Sequence, residues 1–276
     1  MDKKLRNKEE RKMAEVSIND LKFYYEEHGS GEPLVLIAGY TCDVSHWEGI
    51  LEALASKFHV LIFDNRGVGR SASPDSPYSI EMLAEDCKSL VEALGWKKFH
   101  VLGHSMGGAI AQTLAIKAPE KIEKLVLSNT FLSIKPAQAT VLQVFLDLRE
   151  QRVDVATQLR GMLPWIFSNE FCSSKASMEE VIQNLINYAY PQSFVGQKRQ
   201  LEALLAFDSE EWVGNISVPT LVIGGAEDIL TPCRDGEKMS EKIPESQLYT
   251  FPHIGHDPVH ERPDQYVQVV SEFLKN

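Results

Sequence analysis

A chain of 276 residues, 43% of them hydrophobic and 24% charged, has ordinary globular composition and room for one large domain with an insertion. At that length roughly three quarters of the unfolded surface can be buried, so folding needs neither disulfides nor a structural metal. The formal net charge of −11 argues against a nucleic-acid groove and against docking on an anionic membrane.

The first residues, MDKKLRNKEERKMAEV, are charged and lack the apolar segment of a secretory signal. Residues 1–14 are therefore expected to form a disordered extension. No uninterrupted apolar run reaches the roughly 18 residues that a membrane span needs. Cys42, Cys87, Cys172 and Cys233 are scattered with no C-x-x-C pair, which fits reduced thiols in a cytoplasmic protein. No metal-ligand spacing is present, so no metal and no cofactor is expected.

Further along, AEVSIND–LKFYYEEHG alternates about Asn19-Asp20 and reads as an opening hairpin. Apolar runs follow at Pro33–Gly39, His59–Asp64, Phe99–Ser105, Lys124–Thr130, Pro219–Gly225 and Ser246–Phe251. Their unbroken apolar character suits strands covered on both faces, and the segments between them carry a helical period. Ser79 is placed to cap a helix over Ile80–Leu94; another helix starts after Ser105 and runs to Pro119, and a last one covers Pro263–Leu274. This alternation predicts an α/β fold with a mostly parallel central sheet flanked by helices.

From about Ser133 to Asp208 the alternation gives way to successive helices, with Pro164 and Pro191 as interruptions. The expected organisation is a core of residues 15–132 and 209–276 with an inserted helical cap of residues 133–208. Such a cap lies most simply over the carboxyl ends of the strands, where open α/β sheets bind ligands.

Gly103-His104-Ser105-Met106-Gly107 matches G-x-S-x-G, a pattern that composition alone yields in roughly one chain in ten. Here it stands between a strand and a helix, the setting in which a sharp turn exposes a serine nucleophile. Packing glycines around a helix-capping serine are the competing explanation. A serine hydroxyl needs a base, itself oriented by a carboxylate. FPHIGHDPVHERP offers three histidines, of which His256 is preferred, because Ile254-Gly255-His256 falls on a loop after the last strand. His253, close to the strand end and expected to be partly buried, is the runner-up, and His260 has a solvated or capping role. Asp228, just past PTLVIGG, is the preferred acid, with Glu227 a solvated neighbour or a support for the loop.

The order Ser105…Asp228…His256 with its strand–turn–helix elbow resembles the α/β-hydrolase superfamily. LVLIAGYTCDVSHW, the DNRGVGRS loop at Asp64–Ser71 and GHDPVHERPDQYVQVVSEFL are similar to its capped bacterial serine esterases, lactonases and carbon–carbon hydrolases. The resemblance covers nearly the whole chain from about Val16, the cap excepted. It implies an oxyanion hole made by the backbone N–H groups of Tyr40 and Met106. The family commonly carries His-Gly ahead of that loop, where this chain has Ala38-Gly39. The Tyr40 ring either overhangs the pocket or packs beside it. Asp64 and Arg66 are expected to be structural.

These readings lead to a serine hydrolase of a small carboxylic ester or lactone, whose substrate has an apolar part. Trp165, Phe167, Phe145 and Met162 of the cap are the candidate substrate-binding residues, and Arg149, Arg152 and Arg160 either meet a substrate carboxylate or lie on a solvated face. Two alternatives stand beside it: a carbon–carbon bond hydrolase of vinylogous diketones, and a slow-turnover ligand-binding or signalling protein on the same fold.

Overall fold

The computed structural model describes residues 11–276. The expected extension over residues 1–14 lies outside them as far as residue 10, but its last four positions are ordered. They belong to strand β1 (Arg11–Ile18), which pairs antiparallel with β2 (Leu21–His28). Asn19 and Asp20 join the two strands with φ of 51° and 64°. Positive φ at both turn residues matches the twist of the strands, which is why a tight hairpin forms here.

The sheet continues through β3 (Pro33–Ile37), β4 (His59–Phe63), β5 (Phe99–His104), β6 (Ile122–Ser128), β7 (Thr220–Gly225) and β8 (Ser246–Phe251). Its spatial order is β1-β2-β4-β3-β5-β6-β7-β8. The pairings of β2 with β1 and with β4 are antiparallel, and every pairing from β4 to β8 is parallel.

Alternate residues of each central strand enter two separate cores, because side chains along a strand point to opposite faces. Val35, Ile37, Val101, Leu125 and Leu127 pack with helices α2 (Ile80–Ala93), α3 (Met106–Lys117) and α9 (Cys233–Lys242). Leu34, Leu36, Leu102, Val126 and Ile223 pack on the other face with α1 (Glu48–Ala55) and α11 (Pro263–Lys275). Ser79 Oγ accepts from Met82 N at 3.2 Å to start α2, as its position predicts, and Gly95 follows its end at φ 78°.

Between β6 and β7 come α4 (Pro136–Glu150), α5 (Val155–Ile166), α6 (Asn169–Ser173), α7 (Lys175–Ile186) and α8 (Phe194–Ala206). An isolated antiparallel bridge joins Ser133 to Asp208, so this insertion leaves and rejoins the core at one place. Pro191 falls between α7 and α8, but Pro164 lies inside α5 and does not end it. Pro164 has no N–H to donate to the Arg160 carbonyl, yet the helix runs on two residues past it to Ile166. Leu142 and Leu146 of α4 and Leu201 and Leu204 of α8 join the main core, whereas Leu159, Leu163, Phe167 and Ile182 form a small core of their own.

Candidate active site

Ser105 stands between β5 and α3 with φ 56° and ψ −120°, a backbone conformation rarely taken by a residue with a side chain. The turn is held from both sides. Ser105 N donates to Ser128 O at 2.9 Å, and Ser105 O accepts from Thr130 Oγ1 at 2.7 Å and from Gly108 N at 2.9 Å. Gly107 allows the helix to start this close, since a Cβ there would lie 2.0 Å from Ile37 O. Ser105 Oγ makes no hydrogen bond among the described residues.

Asp228 follows β7 in a turn that wraps its carboxylate in donors. Oδ1 accepts from Leu230 N at 2.9 Å and Thr231 N at 2.8 Å, while Asn129 Nδ2 donates to Oδ2 at 3.1 Å. His256 Nδ1 donates to Oδ2 at 2.8 Å. Both residues are buried. Burial alone opposes the charge on Asp228, but the facing imidazole and these donors hold its carboxyl below the usual range. Burial likewise opposes protonation of His256, and the Asp228 carboxylate outweighs it and raises the imidazole above its ordinary value of 6.5. With Nδ1 committed to Asp228, Nε2 is the nitrogen left to accept a proton.

The structure thus pairs Asp228 with His256 directly. Ser105 is tied to them through its neighbour, because His104 Nε2 donates to His256 O at 2.9 Å and the two rings lie 5.0 Å apart. No hydrogen bond joins Ser105 Oγ to His256 among the described residues. His253, expected to be partly buried, has a side chain 80% exposed and points away to Glu227, 3.5 Å distant. A positive φ of 57° turns it out of the strand before the loop folds back. His260 donates from Nδ1 to Asp257 Oδ2 at 2.7 Å. Of its two expected roles Glu227 takes that of a loop support, accepting from Asn169 N and Nδ2 at 2.9 and 3.0 Å.

Met106 follows the serine directly, and Gly39, the residue before Tyr40, lies against it, since a Cβ on Gly39 would sit 3.1 Å from Ser105 Cβ. Met106 opens α3, where first-turn N–H groups lack helical acceptors, and neither its amide nor that of Tyr40 donates to the protein among the described residues. The Tyr40 ring packs against the main core, its hydroxyl buried without a hydrogen bond near Arg149 and Gln197. Arg149 itself donates to Gln197 Oε1 and Gln192 O, whereas Arg152 and Arg160 are exposed. Of the four cap residues singled out, Trp165, Phe145 and Met162 are half-buried. Phe167 instead stacks on Phe171 at 4.1 Å inside the small core of the insertion. Asp64 accepts from Val44 N and Arg70 N, and Arg66 forms a buried fork on Asp86 at 2.5 and 2.6 Å, both structural arrangements.

Two supports escape a reading of the sequence. Asn129, at φ 46° just past β6, donates to both Asp228 and Gly255 O. Glu261, in the short helix α10 (Pro258–Glu261), is buried and accepts from Gly255 N at 2.9 Å and from Ser168 N and Oγ. The insertion also reaches the histidine loop, where His256 N donates to Ile166 O at 2.6 Å. Gly255 permits that approach, since a Cβ there would lie 2.6 Å from Ile166 O.

A family model described as the alpha/beta hydrolase fold matches residues 32–263. A relative from Stutzerimonas stutzeri, bearing the provisional name carbamate hydrolase RutD, is 30% identical over 261 residues, 91% of this chain and 96% of that protein. 3-Oxoadipate enol-lactonase 2 of Acinetobacter baylyi is 29% identical over 262 residues, 94% of this chain and 96% of the other. The crystal structure of a hydrolase from Pseudomonas aeruginosa PA01 superposes with a TM-score of 0.85 at 29% identity, covering 96% of this chain and 98% of that one.

Proposed function

The chain belongs to the alpha/beta hydrolase fold family, and from that premise we propose that it is a serine hydrolase cleaving a small carboxylic ester or lactone through an acyl-enzyme. The observation that carries this reading is the buried Asp228–His256 pair at 2.8 Å, set at the strand ends beside a serine in a strained turn. Ser105 Oγ attacks the carbonyl carbon as His256 Nε2 takes its proton. Asp228 keeps the ring in one orientation and stabilises the imidazolium. The oxyanion is held by the Tyr40 and Met106 amides, each donor contributing about 3 kcal/mol in the transition state.

The imidazolium then protonates the departing alkoxide, leaving the acyl group on Ser105. A water gives its proton to His256 and attacks the acyl carbon, and the released Oγ recovers that proton. Every step uses groups of this chain and water. The half-buried Trp165, Phe145 and Met162 supply apolar contact for the substrate. A carbamate presents the same trigonal carbonyl, so the chemistry suggested by the Stutzerimonas relative's name falls within the same mechanism.

A fluorophosphonate probe is expected to label the wild-type chain at Ser105 and to leave Ser105→Ala unlabelled. Absent labelling, or equal labelling of both, overturns the proposal. Turnover of nitrophenyl esters, lactones and aryl carbamates by the purified protein then ranks the substrate class.

A further inference from the structure

Beside the hydrolytic groups lies a second cluster that this mechanism does not use. His46, in the turn Val44–Trp47, joins Asp257 and His260 of the α10 segment. Each offers one ligand atom, an imidazole nitrogen or a carboxylate oxygen, and these lie within 4.8 Å of one another. His46 is 7% exposed and its Nε2 is buried without a hydrogen-bond partner among the described residues. Leaving such a nitrogen unpaired is unfavourable, and native proteins seldom do so. Asp257 is buried as well, while the His260 side chain is 42% exposed and opens the cluster to solvent.

We propose that His46, Asp257 and His260 bind a divalent transition-metal ion of the zinc class. Two imidazoles and one carboxylate are a donor set that zinc takes readily, with water completing the shell. Bonds of about 2.0–2.2 Å place tetrahedral ligand atoms roughly 3.3 Å apart, so the cluster contracts on binding. His260 is the member free to move, being half exposed on a helix of four residues, whereas His46 and Asp257 are buried. Binding replaces the present His260–Asp257 hydrogen bond with metal ligation.

The ion then ties together two stretches distant in sequence: the turn Val44–Trp47 after the oxyanion loop, and the segment of Asp257 and α10 that directly follows His256. It acts as a clamp on the walls of the site and takes no part in acyl transfer. The binding residues are separate from Ser105, and the site would persist in a Ser105→Ala protein.

Titration calorimetry of the chelator-treated full chain with zinc alone tests the site. One zinc per chain is expected, with affinity at least tenfold weaker in His260→Ala and in His46→Gln, and unchanged in His253→Ala, an exposed histidine elsewhere. Zinc is also expected to raise Tm by about 2 °C or more in the wild type and to leave His260→Ala unmoved. His260 is half exposed, so its replacement preserves the fold, which circular dichroism checks. Failure of the wild type to bind one equivalent, or equal zinc affinity in His260→Ala, overturns the assignment.

Discussion

At Ser105 the backbone holds a conformation that costs about 1–3 kcal/mol, and the surrounding bonds to Ser128 and Thr130 keep it there. Asp228 shows the complementary arrangement, a charge made tolerable by four nitrogen donors in a buried turn. Replacing it by asparagine removes the charge but not the shape, so Asp228→Asn is expected to lower kcat by about 10⁴ while the fold is retained. Steady-state kinetics alongside circular dichroism checks both parts. The Asp228 carboxylate raises the His256 pKa, and the neutral ring is the form that can act as base. Activity of chelator-treated enzyme should therefore be full at high pH and fall as pH drops through a value above 6.5. A pH–kcat/KM profile whose acid limb lies below 6.5 would contradict this. That Ser105, Asp228 and His256 stand on turns after strand ends was legible in the sequence, because strand–turn signals mark each one. Asn129 was not, since its role depends on a positive φ and on a neighbour 99 residues further along.

Elements meet at the site by unusually close approach. Gly107 lets α3 begin against the end of β3, and a methyl group there would meet Ile37 O at 2.0 Å. Gly107→Ala is expected to destabilise the protein by more than about 2 kcal/mol, measured by urea unfolding. Arg66 and Asp86 join the loop after β4 to α2 through a buried fork. Arg66→Met strands the Asp86 carboxylate and should cost about 3–5 kcal/mol, whereas Arg66→Met with Asp86→Leu should recover most of that loss. The same urea experiment separates the two outcomes. The strands were readable because unbroken apolar runs have few other uses in a chain of this length. The ends of elements were less so: Pro164 removes one helical N–H without ending α5, and Arg11–Ala14 are drawn into β1 by pairing with β2 despite their charge.

Across the whole molecule the sheet separates two large cores, and the insertion is divided between attachment and independence. Helices α4 and α8 bury Leu142, Leu146, Leu201 and Leu204 in the main core, but α5 to α7 rely on four buried apolar residues of their own. Native-state hydrogen exchange should reflect this, with amides of α5 and α7 exchanging at least tenfold faster than those of α4 and α8. Equal protection across all four helices would refute it. That division could not be read from helical periods, which say that a face is apolar but not which neighbour covers it. Phe167 illustrates the point: its aromatic ring suggested a substrate contact, and packing turns it toward Phe171.

The bond from His256 N to Ile166 O crosses from the sheet's chemistry to the weakest of these cores. Ile166 is the last residue of α5, so this small unit is joined directly to the His256 amide. Ser168 and Glu261 repeat the link one turn away, through a buried carboxylate that also holds Gly255 N. His256 is thus anchored twice, through its backbone to the insertion and through its ring to Asp228, so the small core and the orientation of that imidazole share one attachment.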